Sequence, residues 1–255
     1  MDKATLRDRI WDELEERGEA RFPFPPHGRI PNFAGASDAA DRLAATDEWV
    51  DAATIKANPD APQLPVRRAA LRDGKAVYVA VPRLRDEQPF RRLDPDAVDD
   101  YDAATTVSGI DEYGDPVGPD GMERIDLIVS GSVAVNEDGA RVGKGEGYSD
   151  LEFAVMREFG LVDDETTTAT TVHELQVVET PPPADHDVPM DLIVTPDRTV
   201  RTGAEANPSG IDWAALGERV DEMPVLARLQ ASEDHESADP DPAEKSGRRG
   251  NGTRK

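Results

Sequence analysis

The chain predicts an α/β fold with a mainly parallel sheet, and three observations carry that prediction. Short β-rich or apolar runs alternate with amphipathic helical stretches along most of its length. One run, Lys75 to Val81, is continuously apolar after its first residue, as a strand covered on both faces is. The spacing of Ala52 to Ala57, Gln63 to Arg72 and Lys75 to Val81 gives strand, helix, strand, a βαβ unit of right-handed crossover.

Taken in order, residues 2 to 17 carry Leu6, Ile10, Trp11 and Leu14 on a helical stripe that stops at Gly18. Lys3 and Arg7, four apart, share one face of that helix. A proline- and aromatic-rich loop follows (Phe22-Pro23-Phe24-Pro25-Pro26, then Arg29 to Phe33), and a helix from Ser37 to Thr46 starts at a plausible Ser37 cap. The βαβ unit ends at Pro82-Arg83-Leu84-Arg85, which puts two arginines at the carboxyl edge of the sheet, where open α/β folds bind ligands. Residues 86 to 124 are polar and turn-rich. Ile125 to Val135 reads as the longest strand, Glu165 to Val172 and Met190 to Thr195 as two more, Ile211 to Leu216 as a helix that stops at Gly217, and a further helical stretch runs to about Leu229. The organisation expected is a single domain over 1–230 and a disordered tail over 231–255.

Composition excludes several classes. Fifty-three Asp and Glu against 29 Lys and Arg leave a formal charge of −24, spread through every segment. With 5% aromatics, this predicts a halophilic protein that stays dissolved in concentrated salt. Nucleic acid and anionic membranes are disfavoured as partners. The absence of cysteine excludes thiolate chemistry and cysteine-held zinc. A charged N-terminus and the lack of an apolar run of about 18 residues predict a soluble, cytoplasmic protein. His27, His173, His186 and His235 show no ligand spacing, and His173 reads as a satisfied histidine at a strand end.

The chemistry concentrates between Gly139 and Glu152. Strand, glycine-rich loop, helix turns backbone N–H groups and a helix N-terminus toward an anion, usually a phosphate. Gly143, Gly145 and Gly147 let the backbone approach a ligand, Arg141 and Lys144 add positive charge, and Asp150 could hold a magnesium ion bridging phosphates. No Gly-Lys-Ser/Thr ends the loop, so it is not a Walker A motif, and its Gly-x-Gly-x-Gly spacing is not the dinucleotide fingerprint.

The order of parts is more telling than the loop. Lys3 and Arg7, Val81-Pro82-Arg83, Ile125-Asp126-Leu127-Ile128-Val129, the loop from Gly139 to Asp150, and Val188-Pro189-Met190-Asp191-Leu192-Ile193-Val194-Thr195-Pro196 together resemble the 5-formyltetrahydrofolate cyclo-ligase family, over roughly residues 3 to 200. The resemblance implies a three-layer α/β/α fold and ATP- and Mg²⁺-dependent conversion of 5-formyltetrahydrofolate to 5,10-methenyltetrahydrofolate, with ADP and phosphate released. It implies that Lys3 and Arg7 contact ATP phosphates. Arg141, Gly143, Lys144, Gly145, Gly147 and Tyr148 would wrap the triphosphate, with Lys144 and Tyr148 nearest the chemistry, and Asp150 and Asp191 would be associated with magnesium.

Three positions depart from the family pattern. Glu146 stands where a basic or neutral residue is frequent, and Ser149 replaces a second tyrosine. The substrate-holding Glu-Thr pair gives way to Asn58-Pro59-Asp60-Ala61-Pro62-Gln63, which leaves Asn58 and Gln63, with Tyr148, as the folate-side candidates. That segment resembles the longer branch of methenyltetrahydrofolate synthetase domain-containing proteins. A non-catalytic nucleotide- or folate-binding protein of the same fold is the alternative.

Overall fold

The computed structural model describes residues 1–204 and 207–238. Helix α1 (Lys3–Glu16) begins where the Asp2 carboxylate accepts from Thr5 N at 2.8 Å, and it buries Leu6, Ile10, Trp11 and Leu14. A small antiparallel pair, β1 (Ala20–Arg21) and β2 (Asn32–Phe33), brackets the proline-rich loop. Then come α2 (Ala36–Ala44), α3 (Asp47–Asp51), β3 (Thr54–Ala57), α4 (Leu64–Arg72) and β4 (Ala76–Ala80). The next stretch holds β5 (Phe90–Leu93), α5 (Tyr101–Ala104), α6 (Val107–Tyr113) and β6 (Asp115–Val117). The second half runs β7 (Leu127–Val129), β8 (Ala134–Val135), β9 (Arg141–Val142), α7 (Tyr148–Glu158), β10 (Thr167–Thr171), β11 (Leu192–Val194) and β12 (Thr199–Arg201). Helices α8 (Trp213–Leu216) and α9 (Pro224–Ala238) follow.

The eight-stranded sheet has the order β12-β11-β10-β7-β3-β4-β5-β6. Its five central strands are parallel, and antiparallel strands close both edges. The expected mainly parallel α/β class holds, and so does the βαβ unit, as β3, α4 and β4. Alternate residues of each strand feed opposite faces. Ile55, Val77, Val79, Leu127, Val129, Leu192 and Val194 pack under α2 to α6. Tyr78, Ala80, Ile128 and Ile193 face the layer that holds α7 and α9. Helices therefore cover both faces, the three-layer arrangement.

Several boundaries differ from the sequence reading for identifiable reasons. The apolar run Ile125 to Val135 is not one strand. Only Leu127–Val129 stays in the sheet, and Ala134–Val135 turns out of it to form a hairpin with Arg141–Val142. The helix expected to be capped by Ser37 starts one turn-residue earlier. Gly35 precedes it at φ 80°, and a Cβ there would lie 2.7 Å from Pro196 Cγ, so chain crowding selects glycine. Residues 86 to 124 contain two strands and two short helices, the helices capped by Asp100 and Thr106. Residues 231–238 continue α9 and are helical, against the expectation of a disordered tail from 231. The rest of that expected tail, 239–255, lies outside the described residues.

No helix among the described residues is long and apolar enough to cross a membrane.

Candidate functional site

The carboxyl ends of β3, β4 and β7 open onto a cavity of about 280 Å³. Asn58 and Asp60 come from the β3 end, Arg83 from the β4 end, and Gly131 from the β7 end. The far wall is the glycine loop and the start of α7, with Gly143, Lys144, Tyr148 and Asp150. An open α/β sheet offers a crevice at this edge because successive crossovers leave it uncovered.

The loop is anchored from behind. Arg7 Nε donates to Gly143 O at 2.7 Å, and its guanidinium lies so close to Gly145 that a Cβ there would sit 3.2 Å from Arg7 Cζ. Gly145 also adopts φ 105°, which a side chain would strain. Lys3, on the same face of α1, pairs with Asp187 at 2.5 Å. From the face shared by Lys3 and Arg7, Arg7 alone meets the loop, and Lys3 meets the segment before β11. These two residues brace the site's surroundings and do not line the cavity.

Buried Arg141 joins the loop to the sheet. Its Nη1 donates to Gly131 O at 3.0 Å and its Nη2 to Asp150 Oδ1 at 2.6 Å. Val188 N donates to the same Oδ1 at 3.1 Å, so both bonds fall on one oxygen of Asp150. Gly147, at φ 71°, precedes α7 without any side-chain cap. The first N–H groups of α7 are therefore without a capping side chain, the situation in which a helix start accepts an anion. Lys144 Nζ stands 2.8 Å from Glu146 Oε2, and Arg83 Nη2 is 3.8 Å from Glu146 Oε1. Glu146 therefore holds two cations at the cavity mouth. Ser149 Oγ meets Ser130 Oγ at 3.1 Å.

Beneath this wall lies a buried ion pair that the sequence reading missed. Lys56 Nζ donates to Glu152 Oε2, and it also reaches Asn58 Oδ1 at 3.4 Å. Arg67, 1% exposed, donates to Asn58 O, and to Thr105 O at 3.1 and 3.0 Å. Burial brings its pKa down to about 9, which leaves it charged at neutral pH. The turn after β3 is thus fixed by two buried cations. A charge inside an apolar strand, Thr-Ile-Lys-Ala, was the sequence signal that could have found Lys56. Burial pushes the Asp60 carboxyl up, although Lys144, Arg67 and Lys56 oppose it.

Of the residues predicted for the site, Asn58, Arg141, Gly143, Lys144, Gly147, Tyr148 and Asp150 line one cavity. Gln63 does not. It is fully buried behind Gly131, with Nε2 3.4 Å from Thr171 Oγ1, because the short turn after β3 folds it under the sheet edge. Asp191 does not join Asp150 either. Its Oδ2 accepts from Thr168 N at 2.7 Å and Thr168 Oγ1 at 2.9 Å, at the amino ends of β10 and β11. Asp126 does the same for Ala53 and Thr54 at the amino end of β3. Both aspartates precede the same triplet, Leu-Ile-Val, and both tie a neighbouring strand into register. Asp191→Ala is therefore expected to cost about 1–3 kcal/mol of stability in chemical denaturation, from an amide left without its acceptor. It should leave any magnesium dependence unchanged; a lost metal response at full stability would restore a metal role.

Asp187 gives the site a pH signature. Burial alone would raise its carboxyl, but hydrogen bonds from Lys3 and Ala184 N and the charge of Lys3 outweigh this and hold it below the ordinary carboxylate range. A depressed folded-state pKa contributes stability that is present above the unfolded value of about 3.9 and is lost as pH falls through the folded one. The stability difference between wild type and Asp187→Asn should accordingly be largest near neutrality and shrink to nothing in strong acid. A difference that grew on acidification would contradict the assignment.

Comparison with known proteins places the chain in context. The model of the 5-formyltetrahydrofolate cyclo-ligase family matches residues 1–196. A methenyltetrahydrofolate synthase domain-containing protein of Bos taurus is 42% identical over 246 residues, covering 94% of this chain and 64% of its own. The Homo sapiens protein of that name is 38% identical over 246 residues, with the same coverage. The chain thus spans about 64% of the length of the curated relatives it matches. Among solved structures, an Aquifex aeolicus 5,10-methenyltetrahydrofolate synthetase determined by NMR superposes with a TM-score of 0.51 at 19% identity, over 81% of this chain and 96% of that one. That likeness establishes the fold.

Proposed function

Because the chain belongs to the 5-formyltetrahydrofolate cyclo-ligase family, we propose that its glycine-loop cavity binds ATP and closes 5-formyltetrahydrofolate to 5,10-methenyltetrahydrofolate, releasing ADP and phosphate. The observation that carries this reading is the convergence of Lys144, Arg83, Arg141 and the uncapped start of α7 on one cavity. In the proposed reaction the formyl oxygen attacks the γ-phosphorus, the bond to ADP breaks, and N10 then attacks the activated carbon as phosphate leaves. No covalent step falls to the protein, so its contribution is positioning and charge. Lys144 and the α7 amides would meet the transferring oxygens, and Arg7 and Arg141 would hold the loop that presents them. Tyr148, at the cavity wall, would face the folate with Asn58.

A divalent ion fits this site only in part. Magnesium takes few protein ligands and keeps phosphate and water oxygens. Asp150, whose two hydrogen bonds both fall on Oδ1, has Oδ2 to offer, whereas Asp191 is committed to strand pairing. Magnesium would here neutralise phosphate charge beside Asp150.

The second reading, a non-catalytic nucleotide or folate binder, is favoured by one observation. Where the family's Glu-Thr pair would lie, Asn58 engages Lys56 and Gln63 is buried. Turnover assayed by methenyltetrahydrofolate absorbance separates the two: product formation sinks the binder, and ligand-induced thermal stabilisation without product sinks the enzyme. The assay belongs in molar KCl, since a formal charge of −24 repels itself in dilute buffer.

A further inference from the structure

The family match ends at residue 196, yet the chain beyond it returns to the glycine loop. Residues 213–226 form α8, a 3₁₀ turn over Gly217–Glu222, and the start of α9. Val220, Met223, Val225 and Leu226 are buried in the same cluster as Leu151, Val155 and Met156 of α7. Glu222 reaches back to Arg85 at 3.7 Å, after β4. The segment is thus a strap packed on α7 and tied to the residues after β4.

From the middle of that strap Arg219 reaches the loop. Its guanidinium carbon lies 5.2 Å from the centre of the Tyr148 ring, and its Nη2 donates to Glu146 O at 3.3 Å. Glu146 is already the residue whose carboxylate gathers Lys144 and Arg83. Arg219 therefore holds the backbone of Glu146 and the ring of Tyr148 at once, on either side of Gly147. Gly147 stands at φ 71° with nothing within 4 Å of where its Cβ would be, so no side-chain packing holds it.

We infer that Arg219 is a positioning residue for the glycine loop, supplied by a strap outside the family's matched region, and that it sets the affinity of the loop for its polyphosphate ligand. It acts through Tyr148 and Glu146 and needs no contact with the ligand. The affinity half rests on the nucleotide reading above; the ordering of the loop does not.

The test combines amide hydrogen exchange on the ligand-free protein with steady-state kinetics, using Arg219→Ala and Arg219→Lys. In Arg219→Ala, exchange over residues 143–149 should quicken about tenfold, the size of one exposed cation–π contact plus a weak, exposed hydrogen bond of 3.3 Å. The KM for MgATP should rise about as much with kcat held, as when binding common to ground and transition states is lost. Arg219→Lys, which keeps a cation over the ring, should recover most of both. Unchanged exchange and unchanged KM in Arg219→Ala overturn the inference. So does a general quickening through α7 and the strap that lysine fails to rescue, because the role is then only structural. Should wild type neither turn over nor bind ATP while the local exchange effect and its rescue hold, the functional reading fails and the loop clamp stands.

Discussion

Replacing Lys56 by Met is expected to destabilise the protein by about 3–5 kcal/mol, the cost of leaving a buried charge without its partner. Glu152 is 5% exposed on α7, and Lys56 is its hydrogen-bonded counter-ion across the interface between sheet and helix. Without the ammonium, Glu152 must take up a proton or draw water into the layer, and Asn58 loses its contact as well. At about 2–4 °C per kcal/mol for a domain of this size, the melting temperature should fall by roughly 10 °C. Glu152→Gln should be milder, because an amide can still accept from Lys56. The double variant Lys56→Met, Glu152→Leu should regain much of the loss, since an apolar pair of similar volume avoids both desolvation costs. A thermal-shift series in constant KCl that includes Glu152→Leu checks this: a loss in the double variant equal to the sum of the losses in Lys56→Met and Glu152→Leu would show that the pair is not coupled.

The second large effect is on the chemistry. Lys144→Ala should lower kcat/KM for ATP by about 10²–10³-fold, the range seen when one donor to a developing phosphate or oxyanion charge is removed. The fold should be nearly indifferent. Lys144 is 38% exposed and its pair with Glu146 is a surface ion pair, worth about 1 kcal/mol or less. Loss of rate with an unchanged melting temperature is the signature of a ligand-facing cation. The deletion also leaves Glu146 facing the ligand with one cation fewer, so Lys144→Ala with Glu146→Gln should be more active than Lys144→Ala alone. Activity retained by Lys144→Ala would remove the central cation from the account.

The sequence announced the site's parts more readily than their connections. Lys3 and Arg7 were placed on one helical face by four-residue spacing, and from that face Arg7 meets the loop at Gly143 while Lys3 meets Asp187, in the segment before β11. The glycines, Arg141, Lys144 and Asp150 were legible because an apolar run followed by a glycine-rich loop and a helix has few structural solutions. What stayed hidden is set by tertiary contacts. The run from Ile125 to Val135 holds a turn signal in Ser130-Gly131-Ser132, hidden between apolar flanks, and it leaves the sheet after Val129. It turns because Arg141 takes Gly131 O, and Thr170 takes Ser130 O at 2.8 Å. Asp191 looked like a metal ligand from its place beside a ligand-site motif. Its repetition of Asp126-Leu127-Ile128-Val129 was the clue to a different role, that of fixing strand register. Strands β5 and β6 escaped because Arg91 and Arg92 interrupt the apolar pattern between Phe90 and Leu93, the two buried positions of β5. No periodicity links Arg219 to Tyr148, 71 residues apart in the numbering; only the packing of the strap on α7 does.

Glu146 keeps Lys144 and Arg83 together at the cavity mouth, and Arg141 fixes Asp150 behind them. The most direct test is to mix purified wild-type protein with 5-formyltetrahydrofolate in molar KCl and follow methenyltetrahydrofolate absorbance with and without ATP and magnesium. Product is expected only when both are present, and at a rate lower by about 10²–10³-fold from Lys144→Ala at the same protein concentration. A wild-type protein that is folded and binds ATP under these conditions yet forms no product would contradict the proposed reaction.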